Sequence, residues 1–318
     1  MSSSDRTNSL AQPLAGLGLL LSLGCLAFVG SASAGALVVP NFSFESPVTP
    51  YANPPVDSWQ KTPKPAWYIE NGGFYWEQLV GNFKNPAPGY PDRIDNCHGL
   101  QAAWVFAVPE VGFFQDYDSQ DWNDPAPTHA FDVTIQPGKF YRLTVGVAGG
   151  GGGMLVGVPL ELSLYYRDAS SNQVPIAARV ITNDPALFPS NTHLVDFAVQ
   201  TPVVRGGDPW AGRKLGIRVL SLVSQETQGG YWDVDNVRLA ETMVPELSNP
   251  ARPAPGQFQF TLRTDPGQIC EILSAPGPSA PRSVWTSFGT LTNHTGLTNL
   301  VVPAPGSAAR FYQARALP

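Results

Sequence analysis

The chain has 318 residues, of which 43% are hydrophobic and only 14% are charged, and its formal net charge is −6. This length allows one large domain or two modest ones, with enough apolar side chains to fill their cores. The acidic balance argues against a nucleic-acid partner, because phosphate backbones are bound by basic surfaces. The 31 glycines, 32 prolines and 11% aromatic residues favour an all-β protein with many turns.

Residues 1–34 have the features of a signal peptide. An almost uncharged apolar run extends from Leu14 to Val29, and Ala32-Ser33-Ala34 forms an A-x-A cleavage site. We therefore predict cleavage after Ala34 and a secreted or extracytoplasmic location, at the cell surface or in the periplasm. Two alternatives stay open: a membrane anchor, for which the run is short, and a lipoprotein site at Cys25. No other apolar run is long enough to cross a membrane, so no span is predicted after cleavage.

The region from Pro47 to Pro91 is rich in prolines and aromatic residues. Its aromatic side chains include Trp59, Trp67, Tyr68, Phe74, Tyr75 and Trp76. This composition predicts long loops and short strands laid across one end or face of a β-sandwich. Loops of such length in a compact domain are usually functional.

Further along, apolar and polar residues alternate in short runs that are separated by turn residues. A period of two is the signature of a half-buried strand. The predicted strands are Ala102–Val108, Thr128–Ile135, Phe140–Val147, Val158–Tyr166, Val174–Thr182, Thr192–Val199, Lys214–Leu222 and Tyr231–Leu239. The glycine run Gly149–Gly153 lacks the lysine and hydroxyl residue of a phosphate-binding loop, so we interpret it as a flexible or tightly packed hairpin connection.

A proline-rich linker is predicted over residues 241–256, and it should be semi-rigid. The alternation restarts beyond it, in predicted strands at Gln257–Leu262, Gln268–Leu273, Trp285–Leu291 and Ala309–Arg315. Short antiparallel strands over residues 257–318 suit a small immunoglobulin- or fibronectin-like β-sandwich. Cys97 and Cys270 then fall in different domains, and we interpret them as separate thiols, with one disulfide as the alternative.

Two segments that bracket the first domain carry a resemblance to a known family. The opening Asn41–Glu45, NFSFE, is similar to the N-x-x-F-E start of secreted jelly-roll modules with the galactose-binding-like fold, which many carbohydrate-binding modules share. The closing Trp232–Leu239, WDVDNVRL, resembles their last strand, usually written D-x-V-x-L. The tail resembles a small sandwich appended to many secreted bacterial proteins, through Arg310–Arg315. The predicted fold is therefore all-β: a jelly-roll β-sandwich over residues 36–240, followed by the small sandwich.

The same resemblance implies a structural calcium ion, held by the N-terminal glutamate and by an aspartate of the last strand. Carried over by position, these residues are Glu45 and Asp235. Carboxylate and backbone oxygens suit this hard cation, which would clip the first strand to the last. The alternative is an ordinary strand-end carboxylate at Glu45 and a turn or edge residue at Asp235.

Saccharide binding is the function that the sequence favours most. Sugar rings stack their apolar C–H faces on aromatic planes, while their hydroxyl groups need polar side chains at the rim. The predicted ligand contacts are Trp67, Tyr68, Trp76, Trp122 and Asn96. The alternative for each ring is a role in packing a core or pinning a loop. We expect that packing role for three other tryptophans, Trp59, Trp104 and Trp232.

Signatures of catalysis are few. The chain has no G-x-S-x-G elbow and no H-E-x-x-H sequence. The pairs Asp116/Asp118 and Asp121/Asp124 have the residue types of a glycosidase, but they lie in one polar loop and the sequence does not set their separation. We therefore predict a secreted, non-catalytic protein that binds a carbohydrate or glycan. The alternatives are a structural or adhesive protein that contacts other proteins through its sheets, and a glycoside-active enzyme.

Overall fold

The computed structural model describes residues 35–70, 73–119, 131–303 and 309–317. These residues form β-strands and two single-turn 3₁₀ helices, Trp76–Gln78 and Arg282–Val284. In chain order the strands are β1 (Gly35–Leu37), β2 (Ala52–Asn53), β3 (Gln60–Lys61), β4 (Val80–Lys84), β5 (Gln101–Phe106), β6 (Gly112–Gln115), β7 (Lys139–Gly151), β8 (Pro159–Arg167), β9 (Gln173–Thr182), β10 (Val195–Gln200), β11 (Leu215–Ser221), β12 (Tyr231–Met243), β13 (Glu246–Ala251), β14 (Gln257–Arg263), β15 (Gln268–Ala275), β16 (Thr286–Asn293), β17 (Leu297–Pro303) and β18 (Phe311–Ala316).

The all-β prediction is confirmed. Strands β1 to β12 form two antiparallel sheets. The first sheet has seven strands in the order β10-β7-β12-β5-β4-β2, with β1 also paired to β12, and the second has five in the order β3-β6-β11-β8-β9. The predicted signal peptide lies outside the described residues. Across the described part of the chain, no helix is long and apolar enough to cross a membrane.

The core of this unit lies between the two sheets. The inward residues of β7 that the alternation predicted, from Tyr141 to Val147, are fully buried. They belong to the same cluster as Leu160, Leu162 and Leu164 of β8. Each strand therefore turns one face to the core and leaves the other as an outer face of the sandwich.

Strand β12 sets the positions that matter for the site. Trp232 and Val234 point into the core, so the alternating residues Tyr231, Asp233 and Asp235 point to the outer face of the seven-stranded sheet. The pairing of β12 with β7 shifts register after Asp235, where Asn236 has a φ of 54°. This irregularity interrupts the alternation after Asp235, so Asp235 is the last of the three residues that point outward in regular succession.

Strands β13 to β18 form two three-stranded sheets, in the orders β13-β14-β17 and β16-β15-β18. They enclose a separate core that includes Phe260, Leu262, Cys270 and Ile272. Cys97 and Cys270 are both free thiols, as predicted. The likeness of this small sandwich to immunoglobulin or fibronectin domains stays a prediction.

Two sequence predictions need correction. The proposed linker over residues 241–256 contains the end of β12 and all of β13. Pro250 is tolerated in β13 because it lies where the pairing with β14 shifts register, between Ser248 and Ala251. The predicted strand Thr128–Ile135 falls partly outside the described residues, and its described part contributes one isolated bridge, between Thr134 and Lys214.

Candidate functional site

The burial of Trp76 contradicts its predicted role as a ligand contact. Its side chain is only 1% exposed. Its Nε1 atom donates a hydrogen bond to the carbonyl oxygen of Thr62 over 2.8 Å, and its ring meets that of Tyr68 edge-on, with centroids 4.9 Å apart. Trp76 opens a 3₁₀ helix that turns the indole into the main core. Trp76 therefore anchors the loop to the core, and its ring is not accessible to a ligand.

Trp67 and Tyr68 are half-buried, and their polar atoms serve the loop itself. The indole of Trp67 donates to Glu110 Oε1 over 2.9 Å. The hydroxyl group of Tyr68 donates to the Phe74 carbonyl oxygen over 2.8 Å. Ligand contact by these two rings stays a prediction, and both also have a clear structural role.

The remaining predicted contacts lie elsewhere. Trp122 falls outside the described residues. Asn96 bridges two loops, because its amide group donates to the Leu194 carbonyl oxygen over 2.9 Å and accepts from the Leu194 amide over 2.8 Å. Its side-chain amide is thus used by the protein backbone, and its contact with a ligand stays a prediction.

Three rings that sequence reasoning did not select lie together on the outer face of the seven-stranded sheet. We call Trp104, Phe106 and Tyr231 the aromatic platform. Tyr231 pairs with Phe106 across β12 and β5, and their ring centroids are 6.1 Å apart. Phe74, which is 56% exposed, borders the platform 5.1 Å from Phe106. All three platform rings are half-buried, so each keeps part of its surface open to solvent.

Glycines lie beneath two of these rings. Gly151 pairs with Tyr231, and Gly81 pairs with Trp104. A Cβ atom added at either glycine would overlap several atoms of the facing ring. The absence of a side chain therefore lets the rings lie directly over the sheet. The glycine run that sequence analysis placed in a hairpin connection is in part the end of β7, and it forms the floor of the platform.

Asp233 lies next to the platform on the same face of the sheet. It pairs with Trp104 on one side and with Ala148 on the other. The residue is only 8% exposed, and among the described residues its Oδ1 atom has no hydrogen-bond partner. Burial raises the pKa of Asp233 to about 8. Burial also raises the pKa of Tyr231, with smaller contributions from Asp233 and Asp92.

Glu45 and Asp235 are brought together by one backbone segment, Cys97–Gln101. Glu45 Oε1 accepts hydrogen bonds from the amides of Leu100 and Gln101, both over 2.9 Å. Asp235 Oδ2 accepts one from the amide of His98 over 2.6 Å. The opening and closing segments are thus joined through backbone amides, in a hydrogen-bonded clip.

Burial perturbs the ionisation of two groups in this clip, Asp235 and Cys97. Burial raises the pKa of Asp235 to about 7, and the nearby Glu45 carboxylate adds to the rise. Burial, with the Asp235 carboxylate, also raises the pKa of the Cys97 thiol. Oε2 of Glu45 accepts no hydrogen bond from the described residues. Two close carboxylates are the kind of oxygen donor that calcium takes, but backbone oxygens or water would have to complete its six to eight ligands.

The outer face of the five-stranded sheet is different, because it carries two ion pairs. Asp116, which is 2% exposed, accepts hydrogen bonds at Oδ2 from the Tyr165 hydroxyl over 2.6 Å and from Arg167 Nε over 2.7 Å. Arg218 pairs with Glu161 over 2.8 Å. Asp116 and Asp118 were considered as a glycosidase pair, but Asp116 is engaged in this network. Asp121 and Asp124 lie outside the described residues.

Comparison with known proteins yields distant structural likenesses. No family model matches the chain, and no curated protein matches it. A cyclase from Fischerella sp. TAU is 21% identical, with a TM-score of 0.46 over 66% of this chain and 98% of that one. The CBM22-1 xylan-binding domain of Paenibacillus barcinonensis Xyn10C is 11% identical, with a TM-score of 0.31 over 58% of this chain and 85% of that one. The K1 cleaved adhesin domain of Lys-gingipain from Porphyromonas gingivalis W83 is 15% identical, with a TM-score of 0.32 over 62% of this chain and 94% of that one.

A cyclase, a xylan-binding domain and an adhesin domain are different kinds of protein, and likenesses at this level carry no argument about function. The function of this chain has to be argued from its own residues. The described residues contain no group of three or more His, Cys, Asp or Glu side chains that could hold a metal ion. They do contain one sheet face with several partly open aromatic rings.

Proposed function

We propose that the protein is an exported, non-catalytic binding protein that docks a saccharide on the aromatic platform. The observation that carries this proposal is the set of three half-exposed rings, Trp104, Phe106 and Tyr231, side by side on one sheet face. Two of these rings lie over glycines, which holds them close to the sheet. A saccharide offers apolar C–H faces that match such rings, and aromatic contacts of this kind contribute about 0.5–1.5 kcal/mol each.

The rim of the platform supports the same ligand class. Phe74 extends the apolar surface on one side, and the exposed Asp92 lies near the Tyr231 hydroxyl on another. Polar groups around an apolar centre are the usual arrangement of a small-molecule or oligosaccharide site. The platform rings keep part of their surface accessible to solvent, so a saccharide can reach them.

The test is binding to a panel of polysaccharides. Affinity electrophoresis in gels that contain xylan, mixed-linkage β-glucan or galactomannan, with pull-downs on cellulose and chitin, should show retention on at least one member. Trp104→Ala and Tyr231→Ala should each weaken that binding about tenfold, which corresponds to roughly 1.4 kcal/mol. Trp67→Ala tests the loop alternative, since a site on the sheet face predicts that removal of this loop ring leaves binding unchanged.

Two results would contradict the proposal. If no member of the panel retained the protein, saccharide binding would be excluded as its function. Concentration-dependent self-association in size-exclusion chromatography would then favour the adhesive alternative. Loss of binding in Trp67→Ala but not in Trp104→Ala would move the site from the sheet face to the loop. In that case the original sequence prediction would be the better one.

We also propose that Glu45 and Asp235 hold a structural calcium ion within the clip. Support comes from the two neighbouring carboxyl groups and the pKa of Asp235, which burial raises and Glu45 raises further, because a nearby cation would stabilise both carboxylates. Calcium at one hundred times its Kd would add about 2.7 kcal/mol to the free energy of unfolding.

The calcium proposal is tested by chelation. Removal of calcium should lower the Tm of the wild-type protein, and Glu45→Gln should abolish that shift. Glu77→Gln, an exposed glutamate in the same unit, is the control and should keep it. An unchanged Tm on chelation, together with no calcium in the purified protein, would exclude the ion and leave a clip made of hydrogen bonds alone.

A further inference from the structure

We propose that the carboxyl group of Asp233 determines which saccharide the platform accepts, by forming a hydrogen bond with a ligand hydroxyl group. This inference rests on the proposed function and extends it. The platform supplies apolar surface, which tolerates many sugars. A polar group at its edge would provide the selectivity that stacking lacks.

The first argument is that Asp233 is buried without a partner. The residue is 8% exposed, and no atom of the described residues forms a hydrogen bond with its Oδ1 atom. Most buried polar side chains have such a partner, and an unsatisfied one costs about 1–3 kcal/mol. A group of this kind weakens the fold, and at the edge of a partly exposed aromatic surface it can be satisfied by a ligand.

The second argument is its position. Asp233 lies directly opposite Trp104 in the pairing of β12 with β5, and Tyr231 lies two residues earlier on the same face. A ring stacked on the platform would thus lie beside the carboxyl group. Ala148, its neighbour on β7, offers no donor.

The third argument concerns the charged groups around Asp233. Along β12, the titratable side chains on this face are Tyr231 and Asp235 before the register shift and Arg238, which pairs with Asp196 over 2.5 Å, after it. The loop that packs over the sheet contributes Asp92, which acts on Tyr231, Arg93, which donates to the Pro86 carbonyl oxygen, and Asp95, which pairs with His193 over 2.7 Å. None of these groups pairs with Asp233. A ligand hydroxyl group can donate and accept, so it can satisfy this carboxyl group in either protonation state.

The consequence is specific recognition. A site whose polar group depends on a ligand hydroxyl rejects analogues that lack it, because the buried group is then left unpaired. Asp233 would therefore raise selectivity among sugars more than it raises affinity for sugars in general.

The experiment compares Asp233→Leu and Asp233→Asn on the polysaccharide panel of xylan, β-glucan, galactomannan, cellulose and chitin. Asp233→Asn keeps a donor and an acceptor, so its affinity for the retained polysaccharide should stay within about threefold of wild type. Asp233→Leu should lose at least tenfold in affinity for it. Its Tm should equal or exceed that of the wild-type protein, because the unsatisfied group is gone.

Ser163→Ala is the matched control. Ser163 is fully buried, its Oγ atom also lacks a partner, and it lies in the other sheet. Its removal should leave binding unchanged. A structural role for Asp233 predicts the opposite pattern for Asp233→Leu, namely a lower Tm with unchanged affinity per folded molecule.

The outcomes separate this inference from the proposed function. If Trp104→Ala loses binding while Asp233→Leu keeps it, the platform stands and the role of Asp233 is overturned. A marked fall in the Tm of Asp233→Leu would also overturn it. A stronger preference for deacetylated chitin, which carries amino groups, than for neutral polysaccharides would show that the carboxyl group pairs with a cation and not with a hydroxyl group. If wild-type protein binds nothing in the panel, the proposed function itself fails.

Discussion

The two outer faces of the sandwich treat a buried acid in opposite ways. On the five-stranded sheet, Asp116 accepts hydrogen bonds from Tyr165 and Arg167, and Arg218 pairs with Glu161 nearby. On the seven-stranded sheet, Asp233 lies among half-exposed rings with its Oδ1 atom unsatisfied. The first arrangement stabilises the fold. The second lowers stability and leaves a surface with apolar and polar groups still free to bind.

The contrast between these two acids indicates where a binding site lies. A buried acid that is hydrogen-bonded by its neighbours can be explained by folding alone, whereas an unpartnered acid beside partly exposed rings points to another demand on the sequence. The aromatic platform and Asp233 form such a place. Asp116 and Tyr165 on the opposite sheet supply matched comparisons for Asp233 and Tyr231.

The largest effect is expected from Asp116→Ala. This change leaves Arg167 without its carboxylate and the Tyr165 hydroxyl without its acceptor, so we expect the free energy of unfolding to fall by about 3 kcal/mol. Urea denaturation measures it. Polysaccharide binding per folded molecule should not change, since this acid lies on the opposite sheet. The exposed acid Glu226 provides the control, and Glu226→Ala should leave stability unchanged. Equal stability of the two variants would contradict the contrast between the faces.

Much of the fold could be predicted from the sequence, because the local alternation of apolar and polar residues identifies many of the strands. The runs from Phe140 to Val147 and from Val158 to Tyr166 appear as β7 and β8, with the expected residues buried. Strand β13 escaped prediction because its prolines suggested a linker. Its edge position and its register shift accommodate Pro250, and neither feature is visible in a local pattern.

The site was harder to predict than the fold. Trp104 and Phe106 alternate with Ala103 and Val105 in β5, and since both faces of that strand are apolar, no polar residue marked the outer one. The loop rings, by contrast, looked exposed because of their proline-rich surroundings, yet Trp76 fills the core. Strands β5 and β12 are far apart in the sequence, so no local pattern shows that they pair and bring their rings together. Glu45 and Asp235, the residues that the resemblance selected, both bind the segment Cys97–Gln101, and the calcium ion itself stays a prediction.

An intermediate effect is expected from Gly151→Ala. A Cβ atom here overlaps the Tyr231 ring, so the ring must move, and overpacking of this kind costs about 1–3 kcal/mol. Affinity for the retained polysaccharide should fall as well, since the displaced ring belongs to the platform. Gly207 has open space around it, and Gly207→Ala should change neither property. A Gly151→Ala protein with unchanged binding would show that Tyr231 is not a contact surface.

The smallest effect is expected from removing one hydroxyl group on each face. Tyr165→Phe deletes the donor to Asp116, so it should lower the free energy of unfolding by about 1 kcal/mol and leave binding unchanged. The hydroxyl group of Tyr231 forms no hydrogen bond with the described residues, so Tyr231→Phe should leave stability unchanged. It also keeps the ring, so stacking should persist, and any loss of affinity would assign the hydroxyl group a direct contact with the saccharide. Denaturation and affinity electrophoresis on both variants measure these differences. If Tyr231→Phe proved as destabilising as Tyr165→Phe, the seven-stranded face would be a structural surface like its counterpart, and the contrast between the two faces would disappear.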